Sequence, residues 1–271
     1  MAVATWAADP PFPYHRRGMR ALVVLPTYNE IENVEEVLTR IRGSLPDADI
    51  LVLDDNSPDG TASRAEEVGA RLGRVTVERR PGKAGLGSAY RAGFRYGLEA
   101  GYDAMIEMDC DLSHDPAALP ALVAPLGLGV ELVIGSRYVP GGRIPSWPLP
   151  RRLLSRGGNL YAQVALGIDV RDMTSGFRAY AASLLGRLDL DQIRADGYGF
   201  QVEMTLRAVE AGAEVAEVPI TFVDRTRGAS KMSSHIVAEA LLLVTAWGVR
   251  RRTAQVSRWV AAAAGRARPA A

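Results

Sequence analysis

Asp109 and Asp111 stand two apart at the end of an apolar run, Ala104 to Met108. If that run is a strand that persists through them, both carboxylates face one way and Cys110 faces the other. An Asp-x-Asp in that setting can hold Mg²⁺ or Mn²⁺, hard cations that prefer oxygen ligands and leave positions for phosphate oxygens. Taken alone, the pair is more often a solvated turn. Two further apolar runs, however, also end in polar clusters, Pro26-Thr27-Tyr28-Asn29-Glu30 and Asp54-Asp55-Asn56-Ser57. Carboxylates gathered on one sheet edge repel unless a cation or ligand donors compensate. Basic residues lie in loops as well: Arg137 in Gly135-Ser136-Arg137-Tyr138, Arg151 and Arg152 after a Pro-rich connection, and Arg225 to Lys231 before the last helix. Cations near a metal suit a diphosphate leaving group and a phosphate acceptor. Cys110 reads as a small buried side chain rather than a nucleophile, and His114 as structural or substrate-adjacent, since oxygen-preferring ions rarely recruit a lone histidine.

Hydrophobic periodicity supplies the elements that must position these groups. Residues 21–25 and 50–53 are continuous apolar runs, followed by short strands at 75–77, 104–108 and 132–134. Between them lie helical patterns: Ile31, Val34, Leu38 and Ile41 behind a capping box at Thr27 to Glu30, then 61–72, 88–100 and 116–126 with Pro116 at its start. Alternation of strand and helix predicts a mostly parallel sheet flanked by helices. No Gly-x-Gly-x-x-Gly follows the first strand, which argues against a dinucleotide site. After residue 140 the rhythm breaks at a run of Pro and Gly; helices near 151–166 and 200–211 and extended stretches at 177–180 and 214–223 follow. This predicts one domain over 19–249, with a flexible leader over 1–18 and a flexible basic tail over 250–271.

The chain of 271 residues is 48% apolar and 23% charged, enough to bury a core without disulfides or structural metal, and its single cysteine permits no internal disulfide. The net charge of +1 excludes a bulk nucleic-acid binder. It also hides an asymmetry: six of the 32 basic residues are arginines after Val249, leaving 26 basic against 31 acidic side chains in the body. Met1 to Arg20 lacks the apolar run of a signal peptide.

Seven blocks in order resemble glycosyltransferase family 2, and within it the polyprenyl- and dolichyl-phosphate mannose synthases: Pro26 to Glu30, Asp54 to Thr61, Lys83 to Tyr90, Asp109 to Pro116, Gly135 to Tyr138, Thr174 to Tyr180, and Arg225-x-x-Gly228-x-Ser230-Lys231. The resemblance implies a glycosyltransferase-A (Rossmann-like) α/β fold. It further implies inverting transfer of mannose from GDP-mannose to a polyprenyl monophosphate. By that likeness Pro26, Tyr28, Glu30, Val52 and Asp54 hold the guanosine. Asp109, Asp111 and Ser113 hold the metal, Cys110 touches the nucleotide through its backbone, and Arg137, Arg225 and Lys231 face the phosphates of donor and acceptor. Asp111, Arg225 and Lys231 carry the catalysis, and Asn159 is a weaker candidate for the phosphate site. Asp172 reads as a structural or acceptor-site residue. UDP-glucose as donor, and a catalytically silent membrane-recruiting scaffold, are the alternatives.

A lipid acceptor requires a membrane. Ile236 to Val249 is apolar except for Glu239 and Thr245, but too short to span a bilayer, for which about 20 residues are needed. It reads as a core helix or as an interfacial helix with Trp247 near the headgroups. Arg250 to Arg252 behind it would be drawn to an anionic surface. The expectation is a cytoplasmic protein held peripherally on the cytoplasmic face of a membrane, directly or by a membrane-protein partner.

Overall fold

The structure is a computed structural model that describes residues 3–5, 18–224, 239–253 and 257. Its strands are β1 (Ala4–Thr5), β2 (Ala21–Thr27), β3 (Asp49–Asp54), β4 (Val75–Arg79), β5 (Ala104–Glu107), β6 (Leu132–Ser136), β7 (Arg178–Ala181) and β8 (Val215–Pro219). They form one sheet in the order β1-β8-β6-β7-β5-β2-β3-β4, parallel except where β7 runs against β5 and β6. The connecting helices are α1 (Val34–Ser44), α2 (Thr61–Leu72), α3 (Leu86–Glu99), α4 (Leu119–Val123), α5 (Leu149–Leu166), α6 (Ala182–Leu185) and α7 (Gly197–Glu210); a last helix, α8, covers 239–253.

Alternation along the strands divides the core between two faces. Leu22, Val24, Leu51 and Leu53 pack with Phe94 and Phe200 on one side; Val23, Leu25, Ile50 and Val52 pack with Leu38 and Ile41 on the other. Each such side chain, fully buried, contributes about 1.5–3 kcal/mol relative to exposure. Strands β3 and β4 lie to one side of β2 and β5 to the other, so the chain reverses its winding at β2. In open α/β sheets that reversal opens a crevice beyond the carboxyl ends of the strands.

Several local expectations change. The capping box does not form: Thr27 belongs to β2 and its hydroxyl donates to Asp54 Oδ1 at 2.9 Å, while α1 starts only at Val34 and Ile31 is exposed. Competition from a carboxylate on the neighbouring strand wins over the local cap. The helix expected over 116–126 is instead a 3₁₀ turn (Pro116–Ala118), α4, and a second 3₁₀ turn (Ala124–Leu128). Pro120 and Pro125 supply no backbone N–H, so a continuous ladder cannot form through them. The leader is not wholly outside the fold, because Ala4–Thr5 adds a parallel edge strand beside β8. Helix α8 also runs past 249, through Arg250, Arg251 and Arg252.

Candidate active site

A cavity of about 430 Å³ opens at the winding reversal. Pro26, Tyr28 and Glu30 enter it from the end of β2, Asp109, Cys110 and Asp111 from the segment after β5, Lys83 and Gly85 from the approach to α3, and Asp196 from the start of α7. The Lys83 ammonium sits 4.8 Å from the centroid of the Tyr28 ring, a cation–π contact that fixes both walls.

The Asp-x-Asp is not a strand continuation. Strand β5 stops at Glu107, and the chain turns through Leu112 at φ +61°, in the left-handed region a leucine seldom occupies. Asp109, Cys110 and Asp111 therefore all line the cavity instead of alternating. The turn is fastened at each step. The Tyr90 hydroxyl donates to Asp109 Oδ1 at 3.2 Å, the Asp109 amide donates to His114 Nδ1 at 3.4 Å, and the Ser113 amide donates to Asp111 Oδ1 at 3.0 Å. His114 is buried and stacks on Phe177 with ring centroids 5.0 Å apart, so it braces the turn from beneath. Burial, reinforced by Asp109, pushes the Tyr90 hydroxyl well above its ordinary range and keeps it a donor.

One layer deeper, Glu107 accepts from Gln201 Nε2 at 2.9 Å and stands opposite Arg178 in the β5–β7 register. Burial raises Glu107 to about 7 against the pull of the Arg178 guanidinium. Arg178 donates to the carbonyls of Met173, Ser175 and Gln201 and so ties the 173–176 loop to α7.

These residues suit a hard divalent ion. The cavity presents the oxygens of Asp109 and Asp111, and among the described residues no group of three or more His, Cys, Asp or Glu forms a closed metal cage. One or two carboxylates plus substrate phosphates is how Mg²⁺ is commonly held. Burial, with help from Glu30 and the two aspartates, pushes the Cys110 thiol far up, which disfavours a free thiolate as nucleophile. Cys110→Ala is expected to leave turnover within about twofold of wild type, because the lost surface is one small buried side chain; a rate assay at saturating donor checks it.

Four residues expected at the nucleotide or metal do not line this cavity. Val52 packs inside the core at mid-strand. Asp54 turns inward, accepting from Thr27, from the Ser57 amide at 2.8 Å and from the Ser57 hydroxyl at 2.6 Å, while its neighbour Asp55 takes the cavity wall. Ser113 is buried outside the lining, its carbonyl accepting from the Val223 amide at 3.2 Å. Arg137 belongs to a second cleft, described next. Arg225 and Lys231 lie outside the described residues. Lys83, Asp55 and Asp196 line the cavity without having been expected as site residues; Asp55, in the acidic cluster after the second strand, and Lys83, opening a Gly-rich block, each carried a signal, and Asp196 carried none.

The second cleft, about 90 Å³, has a basic, aromatic end at Arg137, Arg151 and Trp147 and an apolar end that includes Leu154, Val202 and Val244. Arg137 is locked by Asp172, which accepts from its Nε at 2.8 Å, its Nη2 at 2.7 Å and its backbone amide at 2.9 Å. Burial alone would raise the Asp172 carboxyl, but the Arg137 pair outweighs it and the net shift is downward. Arg151 lies 4.1 Å from the Trp147 ring centroid and donates to Asp224. Asn159 is buried and accepts from the Met173 amide at 2.8 Å, which makes it a fastener of the 173–174 loop to α5.

Comparison with known proteins bears on this arrangement. The sequence profile described as glycosyl transferase family 2 matches residues 22–188. The undecaprenyl-phosphate mannosyltransferase of Micrococcus luteus is 50% identical over 234 residues, 86% of this chain and 96% of that protein. The polyprenol monophosphomannose synthase of Mycolicibacterium smegmatis is 46% identical, covering 88% of this chain and 90% of that one. Among solved structures, glucosyl-3-phosphoglycerate synthase from Mycobacterium tuberculosis, crystallised with Mn²⁺, UDP and glucosyl-3-phosphoglycerate, superposes with a TM-score of 0.68 at 22% identity, over 92% of this chain and 88% of that one. That last likeness concerns the fold.

Proposed function

The chain belongs to glycosyltransferase family 2, and from that premise we propose that it transfers mannose from GDP-mannose to a polyprenyl monophosphate with inversion at the anomeric carbon. The observation that carries the reading is the pairing of two cavities: an oxygen-rich one suited to a nucleoside diphosphate and a neighbouring cleft that is cationic at one end and apolar at the other. A lipid phosphate has that same division of charge. Relatives at 46% and 50% identity are named for polyprenol- and undecaprenyl-phosphate mannosyl transfer.

In this reading Tyr28, Glu30, Asp55 and Lys83 cradle the nucleotide, and Asp109 and Asp111 hold Mg²⁺ or Mn²⁺. The bound ion supplies Lewis-acid stabilisation of the departing diphosphate, worth several kcal/mol. Arg137 and Arg151 orient the acceptor phosphate. A phosphate monoester has a second pKa of about 6, so its oxygen is already ionised near neutral pH and attacks the anomeric carbon without a general base. The bond to GDP breaks as the bond to the lipid phosphate forms, and no proton need move.

The acceptor is reached from a membrane surface. Among the described residues no helix is long and apolar enough to cross a membrane. Helices α5 and α8 instead carry most of the exposed large apolar side chains among the described residues, including Leu149, Leu153, Leu160 and Val164 on α5 and Leu242 and Val249 on α8. The two are bound to one another: the Tyr161 hydroxyl and Thr245 Oγ1 are 2.6 Å apart, and Arg252 donates to the Val164 carbonyl at 2.9 Å. A Cβ on Gly248 would lie 2.6 Å from the Ala165 carbonyl oxygen, so only glycine allows this approach. Helix α5 bears three arginines and no acidic residue, and α8 ends in three more. An apolar ridge with a basic border fits the headgroup region of an anionic bilayer on the cytoplasmic face, with or without a membrane-protein partner.

Purified protein is to be incubated with labelled GDP-mannose or UDP-glucose, Mg²⁺ and a polyprenyl phosphate. Label in the organic phase from GDP-mannose is the expected result. Transfer from UDP-glucose alone would replace the donor, and transfer from neither would leave a binding scaffold. For the membrane face, Leu153→Asp with Leu160→Asp is expected to reduce partitioning onto phosphatidylglycerol vesicles at least tenfold in a sedimentation assay. Turnover of a short acceptor in detergent should persist; unchanged sedimentation would dispose of the ridge as the docking surface.

A further inference from the structure

We propose that Asp196 is the residue that binds the sugar of the donor and sets the enzyme's sugar preference. Asp196 occupies the N-cap position of α7, in extended backbone conformation, yet its side chain makes no bond to its own helix. An aspartate there ordinarily accepts from its own first turn. Here the carboxylate crosses to α3, where Oδ1 accepts from the Gly87 amide at 2.7 Å. The approach is so close that a Cβ on Gly85, itself at φ +89°, would fall 1.8 Å from Oδ2. Gly85 thus makes room for the carboxylate and Gly87 holds it through its amide, at the cavity wall, where Asp196 remains exposed.

Its position explains what it would bind. Asp196 and Gly197 line the first cavity, and Tyr198, the next residue, lines the second. Glu239 and Ala240 divide between the two cavities in the same way. The strip at 196–198 is therefore the shared border. In a transfer between the cavities the sugar is the moiety that must lie at that border, since its anomeric carbon meets the acceptor. A carboxylate is a pure acceptor with several lone-pair sites, and sugar hydroxyls are donors. Its second oxygen can take a hydroxyl while Gly87 holds the first.

The inference rests on the proposed donor chemistry, and its test keeps the two apart. Asp196→Asn retains an oxygen for the Gly87 amide and removes the charge, so the α3–α7 contact survives; an unchanged thermal midpoint verifies this. The variant is expected to raise KM for GDP-mannose about tenfold while the Kd for GDP stays within twofold. Monodeoxy GDP-mannoses sharpen the assignment: one of them should cost the wild type about tenfold in kcat/KM and the variant little. A parallel loss of GDP affinity, or equal deoxy penalties in both proteins, would overturn the proposal. Should the wild type use UDP-glucose and not GDP-mannose, the donor reading fails by itself. The comparison of UDP-glucose with UDP, and deoxy analogues of that donor, then decides Asp196 by the same criteria.

Discussion

Asp111→Ala is expected to lower kcat/KM for metal-dependent transfer by about 10³-fold, with the folded state retained. Asp111 lines the first cavity, and its Oδ1 orders the turn by accepting from the Ser113 amide. On the proposed reading, the substitution takes away one of the two carboxylates available to the ion, and an oxygen-only site with a single remaining carboxylate holds Mg²⁺ weakly. The stabilisation at stake, several kcal/mol on the leaving diphosphate, corresponds to two or more decades in rate. Partial recovery at high Mn²⁺ would identify the defect as affinity for the ion. The measurement is a metal titration of initial rates; a loss no larger than that of Cys110→Ala would show that Asp111 is not a ligand.

The second large effect concerns stability. Asp172→Ala leaves the Arg137 guanidinium buried without its carboxylate, and breaking one partner of a buried pair typically costs about 3–5 kcal/mol. For a domain of this size about 1 kcal/mol moves the midpoint by about 2–4 °C, so a drop on the order of 10 °C is expected in thermal unfolding. The pair also predicts a pH dependence. Because the folded carboxyl is depressed below its unfolded value, its contribution is fully present above about pH 4 and is lost as pH falls through the folded value. Asp172→Asn should therefore flatten the acid limb of the stability curve while lowering the plateau. A variant as stable as wild type at neutral pH would mean that water satisfies Arg137.

Strands β2, β3 and β5 were legible because each is a short apolar run ending in polar residues, and the Asp109–Asp111 motif followed from its place after one of them. What could not be read was set by distant partners. Thr27 and Glu30 have the spacing of a helix cap, but Asp54 on the adjacent strand claims the Thr27 hydroxyl. Sequence offers Asp54 and Asp55 as equals; only the pleat of β3 and the Ser57 turn decide that one points inward and the other into the cavity. Asp196 contacts Gly87 across 109 positions and Arg137 contacts Asp172 across 35, distances at which periodicity carries no information. The extension of α8 through three arginines was hidden for a different reason. Charge marked that stretch as a tail, whereas a hydrogen bond from Arg252 to α5 keeps it in the helix.

The small size of the second cleft bears on which lipids the enzyme can tell apart. Among the described residues the cleft, at about 90 Å³, has room for a phosphate and the first carbons behind it, so on the proposed reading a long isoprenoid is expected to extend beyond it. Leu154 and Ser155 of α5 line that cleft, and the same helix carries the exposed apolar ridge. The remainder of the lipid would then stay in the bilayer. An enzyme built in this way is expected to turn over polyprenyl phosphates of different tail length and saturation at similar rates, and kcat/KM compared across short and long acceptors checks it.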